Sequence, residues 1–193
     1  MAIVRTADYP LTEASIQDLV YRWCMESRHE ITVPNCGTAW GFDSDIASVT
    51  RGLIGHEFEI KISRADWLSE LRQINGESRT DKYRRAKRLR SADVIASAIA
   101  DRGAGRRYVV VDGERCRQPP PNYFWMVAPP GVVKSDELPV YAGLMEVVGD
   151  RLHVIKSAPR LHPMKLTDRQ LMAMARGATL RYWRSRVGTV WPG

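Results

Sequence analysis

Residues Gly41–Ser63 read GFDSDIASVTRGLIGHEFEIKIS, and the alternation of charged and apolar residues in this segment decides how the chain is interpreted. Residues 57–62 read EFEIKI, which predicts a strand in which Glu57, Glu59 and Lys61 share one face and the apolar residues between them share the other. Three charged groups on one face of a strand require a structural or chemical partner.

The segment is expected to form an antiparallel hairpin whose turn contains Gly52. Direct opposition of Asp45 and Glu59 places the turn centre at residue 52, midway between them. The same register sets Asp43 opposite Lys61. Opposed residues have Cβ atoms roughly 4.5–5.5 Å apart, so two facing carboxylates can bind one cation.

This pattern predicts a metal site for Mg²⁺ (or Mn²⁺). Mg²⁺ prefers oxygen ligands and is typically held by one or two carboxylates together with waters and substrate phosphates. Lys61 would lie beside the metal without binding it, as expected of a group that orients or deprotonates a water or stabilises charge on a reacting phosphate. The alternative interpretation is a charged strand face without a metal.

The residues of this hairpin carry a resemblance to a known family. Asp45, followed after thirteen residues by Glu59-Ile60-Lys61, resembles the PD-(D/E)xK nuclease signature. Five blocks resemble, in content and order, the MmcB-like DNA-repair branch of that superfamily: EIKISRADWLSELR (59–72), the pair Lys82-Tyr83, YFWMVAPPGVV (123–133), ELPVYAGLMEV (137–147) and VIKSAPRLHP (154–163). The resemblance covers most of residues 12–163, and residues 86–121 are interpreted as an insertion.

The resemblance implies an α/β (α+β) fold with a restriction-endonuclease-like core, in which helices flank both sides of a central mixed sheet. It implies that Asp45, Glu59 and the backbone carbonyl of Ile60 bind the metal, and that Asp45, Glu59 and Lys61 are catalytic. Glu13 is a further candidate ligand from the first helix. An acid that stabilises a helix start is an equally weighted interpretation of Glu13.

Basic residues are concentrated in two segments of a chain whose net charge is +7. Residues 79–90 and 160–186 each carry a net charge of +6, so the remainder carries −5. This distribution suits a polyanion held at its flanks, although solvated arginine-rich helices are an alternative of equal weight. The predicted DNA-binding residues are Lys82, Tyr83, Arg84, Arg85, Lys87 and Arg88. Single- and double-stranded DNA are both compatible.

A chain of 193 residues is predicted to form one domain, residues 1–193, that includes a basic C-terminal helix at 167–186. The three cysteines and four histidines show no zinc-ligand spacing. No segment is long and apolar enough for a membrane span, and no signal peptide is recognised, so a cytoplasmic protein is expected. A homodimer is left open.

The first functional hypothesis is a Mg²⁺-dependent deoxyribonuclease that hydrolyses phosphodiester bonds, in DNA repair or recombination or in a phage or mobile-element setting. The alternative is a catalytically inactive nuclease-fold protein that binds nucleic acid. A third hypothesis, with less support, is a protein-interaction module that has a basic surface.

Overall fold

The computed structural model describes residues 11–37, 39–40, 44–74, 109–111, 114–116 and 121–188. Within these ranges the chain has an α+β fold. The strands are β1 (His29–Pro34), β2 (Ile46–Thr50), β3 (Gly55–Ile60), β4 (Val109–Val111), β5 (Glu114–Cys116), β6 (Tyr123–Ala128), β7 (Ala142–Val148) and β8 (Arg151–Lys156), and the helices are α1 (Glu13–Glu26), α2 (Arg64–Ile74) and α3 (Asp168–Val187).

Six strands form one mixed sheet in the order β1-β2-β3-β6-β7-β8. The strand β2 runs antiparallel to both of its neighbours, β1 and β3, whereas β3, β6 and β7 run parallel, and β8 returns antiparallel to β7. The strand β6, read from its continuous apolar run as a central strand, is central in the sheet. The strands β4 and β5 pair with each other in a separate sheet inside the predicted insertion.

Alternation along the strands divides the core between the two faces of the sheet. On one face, Phe58, Ile60 and Val127 pack with residues of α1. On the other face, Ala47 and Val49 of β2 share a cluster with Met174 of α3. Phe124 and Met126 of β6 share a second cluster on this face with Trp67 of α2. Helices therefore flank both sides of the mixed sheet, which confirms the predicted architecture.

The helix starts follow from side chains that bond to free backbone amides. The hydroxyl of Thr12 accepts from the amide of Ser15 at 3.1 Å, and the hydroxyl of Thr167 accepts from the amide of Gln170 at 3.3 Å. Both sites are capping boxes, and a threonine directly before an apolar helical repeat predicts an N-cap at each of these positions. At α2, the Ser63 hydroxyl accepts from the amide of Asp66 at 3.2 Å.

The apolar spacing predicts Ala65, Leu68 and Leu71, with Trp67 as a further member, as the buried side of α2, and Leu171, Met174, Ala178 and Tyr182 as that of α3. Both predictions are wrong in part. Ala178 and Tyr182 of α3 are exposed, because α3 packs on the sheet through its first half, where Gln170 and Met174 are buried. In α2, Ala65 is exposed and Trp67 is fully buried. Its indole Nε1 donates to Glu137 Oε2 at 2.9 Å. This bond satisfies the polar group of a ring that packs in the apolar cluster with Phe124 and Met126.

Candidate functional site

The hairpin of β2 and β3 has the register that its sequence predicts. Ile46 pairs with Phe58 and Ala47 pairs with Glu57. One step further along this register sets Asp45 opposite Glu59, as expected from a turn centred on Gly52. Asp43, expected opposite Lys61, lies outside the described residues. The hairpin register is therefore confirmed from Val49 to Ile46, and its continuation by one residue sets Asp45 opposite Glu59.

Asp45 is held at the end of the hairpin by its own side chain. Its Oδ2 accepts a hydrogen bond from the backbone amide of Ile60 at 2.6 Å. Burial and, after it, the neighbouring carboxylate of Glu59 together raise the pKa of Asp45 to about 7. The raised pKa means that the site holds more negative charge than its surroundings can stabilise, and a bound cation would remove this excess.

Lys61 is the third member of this cluster and is almost fully buried. Its Nζ lies 2.9 Å from Oε1 of Glu59 and 3.5 Å from Oε2 of Glu70. Burial disfavours its charged form, but the attraction of Glu59 and Glu70 outweighs burial and raises the pKa of Lys61 above its ordinary value. Lys61 is therefore a cation at neutral pH.

Glu70 was not among the residues selected from the sequence. It lies three positions after the buried Trp67 in α2, so both side chains project from the sheet-facing side of the helix. The side chain of Glu70 is 18% exposed and that of Glu59 is 20% exposed, so the Lys61 ammonium lies between two partly covered carboxylates. The helical spacing from Trp67 is the signal that could have identified Glu70.

The backbone carbonyl of Ile60 is directed to the same strand edge as its amide. In an extended strand, the N–H and C=O of one residue point to the same neighbour. The Ile60 amide bonds to Asp45, so its carbonyl also faces the Asp45 side. Asp45, Glu59 and this carbonyl are the oxygen donors that the described residues bring to one end of the hairpin.

Glu13 lies in the first turn of α1 and acts electrostatically on Asp45 by raising its pKa. Gln17 Nε2 donates to Glu13 Oε1 at 3.2 Å and to Asn35 Oδ1 at 3.5 Å. The amide of Asn35 donates to the carbonyl of Asp45 at 2.6 Å. The start of α1 therefore lies at the edge of the sheet that carries Asp45. A ligand role for Glu13 remains a prediction.

The donor set fits a hard divalent cation that keeps most of its waters. Two carboxylates and a backbone carbonyl are oxygen ligands, and Mg²⁺ is usually bound by one or two carboxylates with waters and phosphates. Among the described residues, no group of three or more His, Cys, Asp and Glu side chains is arranged to hold a metal ion. A divalent ion at this site would therefore be held by two carboxylates and would need water or substrate to complete its ligands. Glu57, on the same strand face, is fully buried and is not part of this donor set.

The histidines near the hairpin belong to the opposite face of the sheet, as the strand parity of His56 predicts. His56 Nδ1 accepts from Trp125 Nε1 at 3.2 Å, and the rings of His29 and His56 lie 4.6 Å apart. Burial lowers the pKa of His29 to about 4 and that of His56 to about 3. Both rings are neutral packing groups at pH 7. Cys24 and Cys36 are buried free thiols.

The predicted DNA-binding residues Lys82, Tyr83, Arg84, Arg85, Lys87 and Arg88 lie outside the described residues. The second basic segment, residues 160–186, lies within the described residues, and its helix α3 contacts the candidate site. Nη2 of Arg181 donates to the carbonyl of Asn35 at 2.7 Å. Because the amide of Asn35 bonds to Asp45, α3 is attached to the edge of the sheet that holds the carboxylates.

Comparison with known proteins gives information on the fold. No protein-family model matches the chain, and no curated protein matches it. A solved structure of a protein of unknown function from Silicibacter pomeroyi is similar to this chain, with a TM-score of 0.56, 15% identity and coverage of 94% of each chain. A similarity at this identity concerns the fold alone. No described helix has the length and apolarity needed to cross a membrane.

Proposed function

We propose that the protein is a metal-dependent DNA nuclease that hydrolyses phosphodiester bonds. The observation that supports this most directly is the cluster at the end of the hairpin. The register of the hairpin, continued by one residue, sets Asp45 opposite Glu59, and the Lys61 ammonium lies 2.9 Å from Glu59. Two carboxylates that can bind a divalent ion, beside an ammonium group that can stabilise charge on a phosphate, suit phosphodiester hydrolysis.

Asp45, Glu59 and the Ile60 carbonyl would hold Mg²⁺ or Mn²⁺, with Glu13 as a further candidate ligand. A bound divalent ion supplies charge that polarises a phosphate and lowers the pKa of a coordinated water. The hydrogen bond from the Ile60 amide orients the Asp45 carboxylate in advance, with one of its oxygens bonded to the backbone. This orientation reduces the reorganisation needed when a cation binds.

Lys61 acts as a charged group in this proposal. The raised pKa of Lys61 supports an ammonium that orients the attacking water or stabilises negative charge on the phosphate, and disfavours a neutral amine that removes a proton. Glu70 holds the ammonium from the α2 side and is a positioning residue. Asp45, Glu59 and Lys61 are the proposed catalytic residues.

DNA is the proposed substrate because the chain is basic at two segments around an acidic centre. Lys82, Tyr83, Arg84, Arg85, Lys87 and Arg88 are proposed to contact the DNA backbone. A cytoplasmic location and a role in DNA repair, recombination or a mobile element are part of the same proposal. The role in DNA repair is what the sequence resemblance implies, and the location and the mobile-element or phage setting are carried over from the sequence expectation.

A second candidate function is nucleic-acid binding without cleavage. It is favoured by the observation that no group of three or more potential metal-ligating side chains converges within the described part of the chain. A basic surface binds DNA whether or not a metal site is complete.

Cleavage of plasmid and single-stranded DNA in Mg²⁺ or Mn²⁺, with and without EDTA, tests the two candidates. The nuclease proposal expects degradation that EDTA stops and that Glu59→Gln lowers at least about 100-fold. Glu30→Gln, an exposed acid on β1, is the matched control and is expected to cleave normally. Binding of DNA without degradation in both metals would replace the proposal with the second candidate.

A further inference from the structure

One exposed face of α3 combines arginines with large apolar side chains. Its members are separated by three, four or seven residues, spacings that place side chains on one side of a helix. Met172 is 68% exposed, Trp183 is 50% exposed and Val187 is 62% exposed. The face is named the α3 stripe and consists of Arg169, Met172, Arg176, Trp183 and Val187.

The order of residues along the α3 stripe distinguishes between partners. Arg176 lies between Met172 and Trp183 on the same side of the helix. A helix that binds a membrane surface separates its apolar face from its charged face, and this stripe mixes them. A second copy of the stripe would repel the first, because α3 contains five arginines and one acid, Asp168. A nucleic acid matches both features of the stripe, because its phosphates can bind the arginines and its bases can stack on the ring of Trp183.

Trp183 offers an aromatic surface next to cations. The neighbouring Tyr182 is covered by Arg186, whose Cζ lies 5.6 Å from the Tyr182 ring centroid and whose Nε lies 3.3 Å from the Tyr182 hydroxyl. Trp183 has half of its surface exposed, between Arg176 two turns earlier and Arg184 at the next position. Stacking on such a ring requires an unpaired base, which a single strand supplies.

The α3 stripe lies near the candidate metal site. Arg181, on the opposite side of α3, donates to the carbonyl of Asn35 at 2.7 Å, and the Asn35 amide donates to the Asp45 carbonyl at 2.6 Å. The stripe is therefore separated from this edge of the sheet by roughly the width of one helix, about 10–12 Å with side chains. A strand of a few nucleotides can extend over that distance.

We propose that the α3 stripe binds single-stranded nucleic acid, with an unpaired base stacked on Trp183 and with phosphates held by Arg169 and Arg176. The placement beside Asp45 makes the stripe a substrate-holding surface, and this part rests on the proposed nuclease function. The binding itself requires neither metal nor cleavage.

The test uses the full chain in EDTA and measures fluorescence anisotropy with a labelled oligo(dT) single strand and with a DNA duplex of the same length. Wild type is expected to prefer the single strand. Trp183→Ala is expected to weaken oligo(dT) binding at least about fivefold, and Trp183→Phe is expected to restore most of it. Arg176→Ala is expected to lower the salt slope of log K by about 0.7, whereas Arg151→Ala, an exposed arginine on β8, leaves binding unchanged.

Four results would overturn the proposal: equal binding by Trp183→Ala and wild type, preference for the duplex, Trp183-dependent binding to vesicles of anionic lipid in place of DNA, and burial of Trp183 in a dimer detected by sedimentation. Oligo(dT) binding by Asp45→Asn separates the two proposals. If oligo(dT) binding depends on Trp183 but the wild-type protein cleaves no DNA, only the nuclease proposal is overturned. If Asp45→Asn abolishes cleavage but oligo(dT) binding does not depend on Trp183, only the proposal for the α3 stripe is overturned.

Discussion

The side chain of Asp45 accepts a hydrogen bond from the backbone amide of Ile60, with Oδ2 and N 2.6 Å apart. The strand β2 begins at Ile46, and the carbonyl of Ser44, just before it, accepts instead from the amide of Cys36 at 2.9 Å. The Asp45 carboxylate therefore supplies the acceptor for Ile60 at the end of the hairpin. This bond holds a carboxylate with a raised pKa opposite Glu59, where its ionisation is unfavourable without a cation.

Asp45→Asn is expected to stabilise the metal-free protein at alkaline pH. The folded-state pKa of Asp45, about 7, lies above the ordinary unfolded value of about 3.9. The cost of ionising Asp45 is therefore absent below pH 4, grows between about pH 4 and 7, and is complete above pH 7. Asparagine keeps the acceptor for Ile60 and removes the charge, so the free energy of unfolding at pH 8 should rise by on the order of 2 kcal/mol.

Urea unfolding in EDTA at pH 4.5 and at pH 8 checks this expectation. The increase in the free energy of unfolding of Asp45→Asn over wild type should be present at pH 8 and nearly absent at pH 4.5. Asp18→Asn, which changes an exposed acid on α1, should give little change at either pH. A less stable Asp45→Asn variant at pH 8 would show that the carboxylate is stabilised by a partner other than a metal.

Metal binding should release protons from Asp45. At pH 7 this carboxyl is about half protonated, so an ion that binds its ionised form displaces about half a proton, and displaces almost none at pH 9. Titration calorimetry with Mn²⁺ in PIPES and in Tris, which differ in ionisation enthalpy, measures the number directly. The apparent affinity should also rise between pH 6 and 8.

Asp45→Asn should abolish the proton release and weaken Mn²⁺ binding. Glu13→Gln tests the further candidate ligand in the same experiment, and Glu30→Gln is the matched acid control. Proton release that persists in Asp45→Asn would assign the titrating ligand to another residue.

Substitutions of Lys61 and Glu70 should lower the rate of cleavage without removing metal binding. Lys61→Gln removes the ammonium that lies between Glu59 and Glu70, so cleavage should fall at least about 100-fold while Mn²⁺ binding is retained. Glu70→Gln keeps the contact of Lys61 with Glu59 and should lower cleavage by no more than about tenfold.

Single-turnover rates measured from pH 6 to 10 check both variants, with Lys134→Gln, an exposed lysine, as control. Wild type should show no Lys61-dependent fall in rate up to pH 10, because the pKa of Lys61 lies above its ordinary value. In Glu70→Gln the fall should move toward this range, because the Lys61 ammonium loses one of the carboxylates that raise its pKa. A Lys61→Gln variant with the wild-type rate would remove Lys61 from the chemistry.

The adjacent rings of His29, which is partly buried, and His56, which is buried, should make the fold sensitive to acid. Both folded-state pKa values, about 4 and about 3, lie below the ordinary value of 6.5, so each ring contributes stability above pH 6.5 that is lost as the pH falls toward 4. His56→Gln cannot be protonated and should lose less stability over this range. The difference from wild type between pH 7 and 4 should be on the order of 2 kcal/mol.

Thermal unfolding at pH 4, 5.5 and 7 measures the effect. His153→Gln, an exposed histidine on β8, should follow the wild-type pH dependence. If His56→Gln and wild type lost stability in parallel as the pH fell, the acid sensitivity would come from other groups.

Local patterns predicted much of the fold. The hairpin register, the capping boxes at Thr12 and Thr167 and the buried strand β6 follow from short-range alternation or spacing, which the structure retains.

The inward side of α3 was predicted less well. Tyr182 continues the apolar spacing of the helix but is 60% exposed, because the sheet contacts the first half of the helix. Periodicity identifies a helix and does not show where its neighbour ends.

The opposition of Asp45 and Glu59, with Lys61 on the same strand face, was determined by the sequence itself, because two-residue alternation and a connection of four residues are local properties of the chain. Tertiary structure alone decided that Glu70 holds Lys61 and that Arg181 attaches α3 to the edge of the sheet beside Asp45. These contacts join segments whose relative position depends on how each helix docks on the sheet. Docking is set by packing and burial over the whole core, and no short pattern encodes it.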